Sequence, residues 1–230
     1  EILTEDDVVD NPVSPYAATK KSCELLAFTF NHLYALPCTG LRFFTVYGPR
    51  GRPDMAPYKF IERVYDGTTI QQYGDGTTSR DYTYITDIVA GVVAAIDRPL
   101  GYEVINLGNG RPFELSNFIN LVEKCVGKKA NIEVLPEQPG DVQHTCACIK
   151  KAQTLLGYAP NVTFEEGIKL TSEWYIKARK DGTITKVPKI ENEDEKEEKL
   201  GIKRTLSDLE LNSFVKRSEE QVAKRDRRVF

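Results

Sequence analysis

The sequence predicts an α/β fold followed by a charged tail. Two observations predict the fold. Short runs rich in β-formers, such as 38–44, 69–73 and 104–107, recur along residues 1–184. Between them lie longer segments whose apolar residues return at helical spacing, and that alternation suits a sheet covered by helices. A third observation sets the tail apart. After Gly182 the composition turns to charge, with the run Glu191–Lys199 offering nothing to bury, so 185–230 is expected to be largely disordered.

Residues 1–13, acidic and containing Pro12, read as a loop leading into a helix over Tyr16–Leu33. Ser14 is its N-cap, Pro15 suits its first turn, and Leu25, Leu26, Phe30 and Leu33 form its apolar stripe. Leu36-Pro37 ends it. Cys38–Phe44 reads as a buried parallel strand, with Thr45 at its carboxyl end, where open α/β sheets bind ligands. A hydroxyl there also serves simply to cap backbone. Residues 47–56 form a Gly/Pro-rich loop bearing Arg50 and Arg52, and a helix follows at 58–65. Strands are expected at 69–73 and 80–85, with a turn at Gly74-Asp75-Gly76 between them. The helix 86–97 is apolar on most faces, through Ile88, Val89, Val92, Val93 and Ile96, and is expected to be buried. Then come a strand at 104–107, a helix at 116–126, a strand at 131–135, a turn at Pro139-Gly140-Asp141, and helices at 150–156 and 164–180.

The chemistry starts at Tyr16 and Lys20. Four residues apart on a helix, their side chains are neighbours. A phenol titrates near pH 10 and a nearby cation favours the phenolate. The pair is therefore a candidate proton-transfer device, with Tyr16 as acid or base and Lys20 as its tuner. Such spacing alone more often marks an exposed helix face, so the flanking residues decide.

Ser14-Pro15-Tyr16-Ala17-Ala18-Thr19-Lys20 resembles the YxxxK active-site helix of the extended short-chain dehydrogenase/reductases, and within them the nucleotide-sugar epimerases. The runs Gly40-Leu41-Arg42-Phe43-Phe44-Thr45-Val46-Tyr47-Gly48-Pro49 and Gly51-Arg52-Pro53-Asp54-Met55-Ala56 are most similar to UDP-glucuronate 4-epimerases. The resemblance covers roughly residues 1–184 and implies the C-terminal part of a Rossmann-like fold plus its small substrate-binding domain. It implies NAD as cofactor, with Tyr16, Lys20 and Phe43 as contacts, and a UDP-sugar as substrate. Tyr73 would contact uracil, Arg80 the diphosphate and Asp141 the ribose. Taken singly, these three also read as a packed strand residue, a surface ion pair and a turn former. Thr45 and Arg52 would meet the uronate carboxylate, which needs donors or a cation when buried. Related UDP-galactose epimerases carry an arginine three residues before that Asp, where this chain has Gln138. Pairing of two copies through the YxxxK helix is also implied.

The resemblance implies interconversion of UDP-glucuronate and UDP-galacturonate through a 4-keto sugar. UDP-glucuronate decarboxylase and neutral-sugar 4-epimerase are the enzyme alternatives. No glycine-rich GxxGxxG turn occurs in a strand-to-helix setting, so the cofactor-binding half is expected to be missing from this chain. That leaves a non-catalytic nucleotide-sugar-binding or scaffold protein as a further alternative.

Bulk properties are consistent with this. A net charge of −3 gives no field that attracts nucleic acid. Five cysteines show no paired framework, and Cys146-Ala147-Cys148 with His144 is an incomplete tetrahedral set, so no metal is expected. Neither a membrane span nor a signal peptide is visible. A soluble cytoplasmic protein is expected, or a Golgi one if an anchor precedes residue 1.

Overall fold

The structure, a computed structural model, describes residues 2–137 and 142–185. Asp141, Gln138 and the tail 186–230 lie outside them. Among the described residues the order is β1 (Ile2–Leu3), α1 (Pro15–Tyr34), β2 (Cys38–Phe43), β3 (Thr45–Tyr47), α2 (Ala56–Asp66), β4 (Thr69–Tyr73) and β5 (Ser79–Tyr84). Then follow α3 (Ile85–Asp97), β6 (Tyr102–Leu107), β7 (Pro112–Glu114), α4 (Leu115–Val126), β8 (Asn131–Leu135), β9 (Cys146–Ala147), α5 (Lys150–Leu156) and α6 (Phe164–Lys180).

Helix α1 starts where its local code says it should. Ser14 is extended, and its Oγ accepts from the Ala17 amide at 3.1 Å, with Pro15 in the first turn. Ala35 turns left-handed at φ 51 and ends the helix ahead of Pro37. At the other end of the chain, Thr163 caps α6 through the Glu166 amide. Glu165 and Glu166 sit in its first turn and Lys177, Arg179 and Lys180 in its last, each sign at the favourable pole of the helix dipole.

The pairing is mostly parallel, as the strand–helix alternation implies. β2 runs beside β6 from Cys38↔Tyr102 to Phe43↔Leu107. β3 pairs with β5, which takes β7 antiparallel on its other edge. β4 pairs with β8 and β1 with β9. The turn at 74–76 therefore does not close a hairpin, because β4 and β5 go to different partners. Gly74 donates to the Leu135 carbonyl, and Asp75 accepts from both the amide and hydroxyl of Thr77, turning the chain between two sheets.

Two clusters form the core. One lies under β6, where Ile105 and Leu107 meet Ile88, Ala152, Leu156 and Tyr158. The other is aromatic, with Tyr82 and Phe164 each in ring contact with both Tyr47 and Phe118. Helix α6 reaches it at Gly167, where a Cβ would lie 2.0 Å from the Tyr47 hydroxyl, so only glycine allows this approach.

Two expectations are corrected, and the stripe of α1 is located. Helix α3 is buried on one stripe only. Ile88, Gly91 and Ala95 face the core, where Gly91 lies against Leu107 and Tyr158, while Val89, Val93 and Ile96 on the far side are exposed. Strand β2 is parallel but half-buried, and Phe43 at its end is exposed. The stripe Leu25, Leu26, Phe30 and Leu33 of α1 faces solvent, and α1 has no buried residue at all.

Polar contacts therefore help dock α1. Arg42 of β2 forks onto Glu24 at 2.7 and 2.9 Å, the Tyr102 hydroxyl donates to the Glu24 carbonyl at 3.0 Å, and Phe28 sets its ring edge-on to Tyr102. The hydrogen bond from Arg42 holds the Glu24 carboxyl below its usual value of 4.5. A lowered carboxyl stabilises the fold above that value and loses the contribution as pH falls through its folded value. Glu24→Gln is expected to cost about 1–2 kcal/mol at pH 7, above the range of exposed pairs because the contact is bidentate. The difference from wild type should shrink below pH 4.5. Urea unfolding at pH 7 and pH 3.5 checks it, and a pH-independent difference would remove the ion pair from the account.

Candidate active site

Two cavities bring together most of the residues picked from the sequence. The first, of ≈ 580 Å³, lies along the start of α1 and is lined by Tyr16, Lys20 and Phe43, with Arg42, Phe44 and Asn106 behind them. Lys20 Nζ lies 5.8 Å from the centre of the Tyr16 ring, so the i,i+4 neighbourhood is realised. The Tyr16 ring is 72% exposed, leaving its hydroxyl open to an incoming group. Val8, Val9 and Val13 of the entry loop supply an apolar wall opposite.

The second cavity, of ≈ 340 Å³, is lined by Thr45, Tyr73 and Arg80. Thr45 opens β3 opposite Tyr82, and Tyr73 ends β4 opposite Leu135. Arg80 enters from β5, its Nη1 donating to the Ser79 and Gln143 carbonyls at 3.1 Å each. The chain passes from the wall of the first cavity to that of the second between Phe44 and Thr45.

Arg52 lines neither cavity. It is exposed and pairs with Asp54, Nη2 to Oδ2 at 2.5 Å. The Asp54 contact raises the Arg52 pKa and lowers that of Asp54, and the Tyr16 phenol is close enough to add to the Arg52 shift. Asp54 lines the second cavity, so the pair holds Arg52 beside that cavity.

Sequence reasoning missed three polar groups of the second cavity, Asp54, Lys59 and Arg63. Lys59 and Arg63 lie on α2 four residues apart, so the i,i+4 rule applied to Tyr16 and Lys20 also places this pair on one face. Tyr82 lines the same wall, and burial pushes its phenol up to about 12, so it stays a neutral donor.

Asp81, next to Arg80, was missed as well. It is fully buried, and its carboxylate accepts from the Asn109, Gly110 and Ala147 amides at 2.7, 2.9 and 2.9 Å. One side chain thus ties β5 to the loop after β6 and to β9. A Cβ at Gly108 would lie 2.4 Å from the Ala147 Cβ, so the same crossing requires glycine. His144, considered with the two cysteines, hydrogen-bonds the Ser79 hydroxyl at 2.9 Å, and burial raises the Cys146 thiol. No helix among the described residues is long and apolar enough to cross a membrane.

Comparison with known proteins agrees with this geometry. Residues 1–108 match the NAD dependent epimerase/dehydratase family. A UDP-glucuronate 4-epimerase of Thermodesulfobacterium geofontis is 50% identical over 171 residues, covering 74% of this chain and 53% of its own. An uncharacterized protein of Methanocaldococcus jannaschii is 49% identical over 174 residues, covering 76% and 53%. The chain thus spans about half the length of these relatives. The crystal structure of the Bacillus cereus UDP-glucuronic acid 4-epimerase with UDP-glucuronic acid and NAD superposes with a TM-score of 0.70 at 38% identity, covering 75% of this chain and 56% of that one. The YxxxK helix, the parallel strands beside it and these similarities have one meaning: residues 1–108 of the chain belong to the NAD dependent epimerase/dehydratase family.

Proposed function

We propose that this chain carries the proton-transfer pair and the nucleotide-sugar site of a UDP-sugar 4-epimerase acting on UDP-glucuronate and UDP-galacturonate. The observation that carries the reading is the Tyr16–Lys20 pair, which faces one cavity while Thr45, Tyr73 and Arg80 line the next. The residues present fit the nicotinamide–ribose end of NAD. Phe43 is an exposed aromatic wall beside the Tyr16 hydroxyl and the Lys20 ammonium, both able to bond ribose hydroxyls. When bound, NAD would supply the oxidation of C4 to a ketone and its reduction from the other face. Tyr16 Oη, acting as the phenolate beside the Lys20 charge, takes the proton of the C4 hydroxyl to become the phenol, and returns that proton to the product oxygen. Arg80 is assigned the diphosphate, Tyr73 the uracil face and Asp141 the ribose, and Thr45 with Arg52 the uronate carboxylate. The exposed apolar stripe of α1 suits pairing of two copies through that helix.

The carboxylate assignment matters because a 4-keto uronate is a β-keto acid, which loses carbon dioxide when its carboxylate aligns with the ketone. Arg52 leaves Asp54 or shares it to hold the carboxylate out of that alignment. Arg52→Ala is expected to weaken UDP-glucuronate about tenfold to a hundredfold relative to UDP-glucose, the weight of a charge-assisted hydrogen bond, and to raise the share of decarboxylated product. Competition binding and product chromatography on the protein as its gene encodes it measure both. Equal weakening of both nucleotides would take Arg52 away from the carboxylate. In the unaltered protein, UDP-galacturonate from UDP-glucuronate supports the reading. A UDP-pentose would mark a decarboxylase, indifference to the carboxylate a neutral-sugar epimerase, and binding without turnover a scaffold.

A further inference from the structure

A third cavity, of ≈ 410 Å³, shares no lining residue with the two described above, and both Cys146 and Cys148 line it. Cys146 opens β9 opposite Ile2 of β1, and the Cys148 amide donates to the Leu3 carbonyl at 2.8 Å, so the pairing runs through all three residues from 146 to 148. Side chains alternate along such a chain. The Ala147 side chain is buried against Gly108. The two cysteines therefore share the other side, where both are half-buried and free. Burial raises the Cys146 thiol, and Asp81 and the Cys148 sulfur add to that rise, so the two sulfurs sense each other.

The surroundings narrow what such a pair can take. Two residues along a strand advance the chain by ~6.6 Å. That is wide for a disulfide, whose Cα atoms usually stand about 5.5–6 Å apart. It suits two sulfurs that meet on one ion, each at about 2.3 Å from it. His144 is held by Ser79 and does not line the cavity, and no group of three or more His, Cys, Asp or Glu gathers among the described residues. A tetrahedral zinc site is therefore not built. No carboxylate or imidazole lines the cavity among the described residues, so a hard cation finds no charged oxygen there. Thiolates select soft ions. Two thiolates on a monovalent ion leave one negative charge, which Arg111 and Lys150 in the cavity wall favour.

From this we infer that Cys146 and Cys148 form a two-coordinate site for a soft monovalent cation of the Cu(I) class. Each thiol releases its proton to solvent as its sulfur binds, so one ion enters and two protons leave. No electron changes hands. The inference is independent of the nucleotide-sugar reading, since the cavity is a separate one.

The test is competition for Cu(I) between the reduced 230-residue chain and bathocuproine disulfonate. The chain is expected to hold one Cu(I). Either Cys146→Ser or Cys148→Ser should weaken it about hundredfold or more, the usual weight of a second tethered ligand. Cys23→Ser, which removes an exposed thiol of α1, should change nothing. Cu(I) held as tightly by either of the first two variants, lost from the Cys23→Ser chain, or not held by the unaltered chain overturns the site. Alkylation reads the same site without a substitution. Cu(I) should shield Cys146 and Cys148 from iodoacetamide and leave Cys23 reactive, as peptide masses show. Labelling of Cys146 and Cys148 at the same rate with and without the ion overturns it as well.

Discussion

Tyr16→Phe is expected to slow C4 epimerisation by about 10²–10⁴-fold, the usual weight of a positioned acid–base group. The substitution removes one oxygen from a ring that is largely exposed and has no packing role, so the fold should not change. UDP-sugar affinity should stay within about twofold, since the residues proposed for the nucleotide line the neighbouring cavity. The loss belongs in kcat, with KM nearly constant. Stopped assays of the variant with UDP-glucuronate, paired with calorimetry, make the comparison. Turnover within a few-fold of wild type would place the acid–base role elsewhere. Lys20→Met should show a smaller loss, because it removes a neighbouring charge and not the proton acceptor itself.

The second large effect is on stability. Asp81→Ala is expected to cost about 3 kcal/mol or more, because it strands the buried Ala147 amide and the half-buried Asn109 and Gly110 amides, which each lose a charged acceptor. Against a total of roughly 5–15 kcal/mol for a domain, that is a large fraction. Asp81→Asn keeps the size and one acceptor oxygen but turns an NH₂ toward a donor, so it should fall between alanine and wild type. Urea unfolding gives both values. A cost below about 0.5 kcal/mol for the alanine variant would mean that water replaces the carboxylate and that the crossing does not depend on it.

What was legible in the sequence was local. Ser14, Pro15 and the alanines specify the start of α1 by capping and propensity, and the structure places the cap bond there. That β2 is parallel follows from the strand–helix alternation, although its partner β6 does not. What was not legible is non-local. No spacing rule says that β4 pairs with β8 and β5 with β3, so the turn at 74–76 looked like a hairpin. Hydrophobic periodicity marks a stripe but not what covers it, which is why Leu25, Leu26, Phe30 and Leu33 are exposed and α3 is buried on one side only. The short strand β3 was not separated from the strand before it and the loop from residue 47, because three residues carry too little pattern. Asp81 escaped notice because its importance lies in three amides 28, 29 and 66 residues away. Lys59 and Arg63 were not singled out within the helix expected at 58–65, and only the cavity sets them beside Arg80.

Oxidation and reduction at one carbon is the centre of the account, and UDP-glucuronate deuterated at sugar C4 tests it most directly. Incubated with NAD and the protein as its gene encodes it, this substrate should give UDP-galacturonate with the deuterium still on C4, as seen by proton NMR and mass. Failure of C4 to invert, exchange of the label with solvent, or release of carbon dioxide with a UDP-pentose as the main product would contradict it.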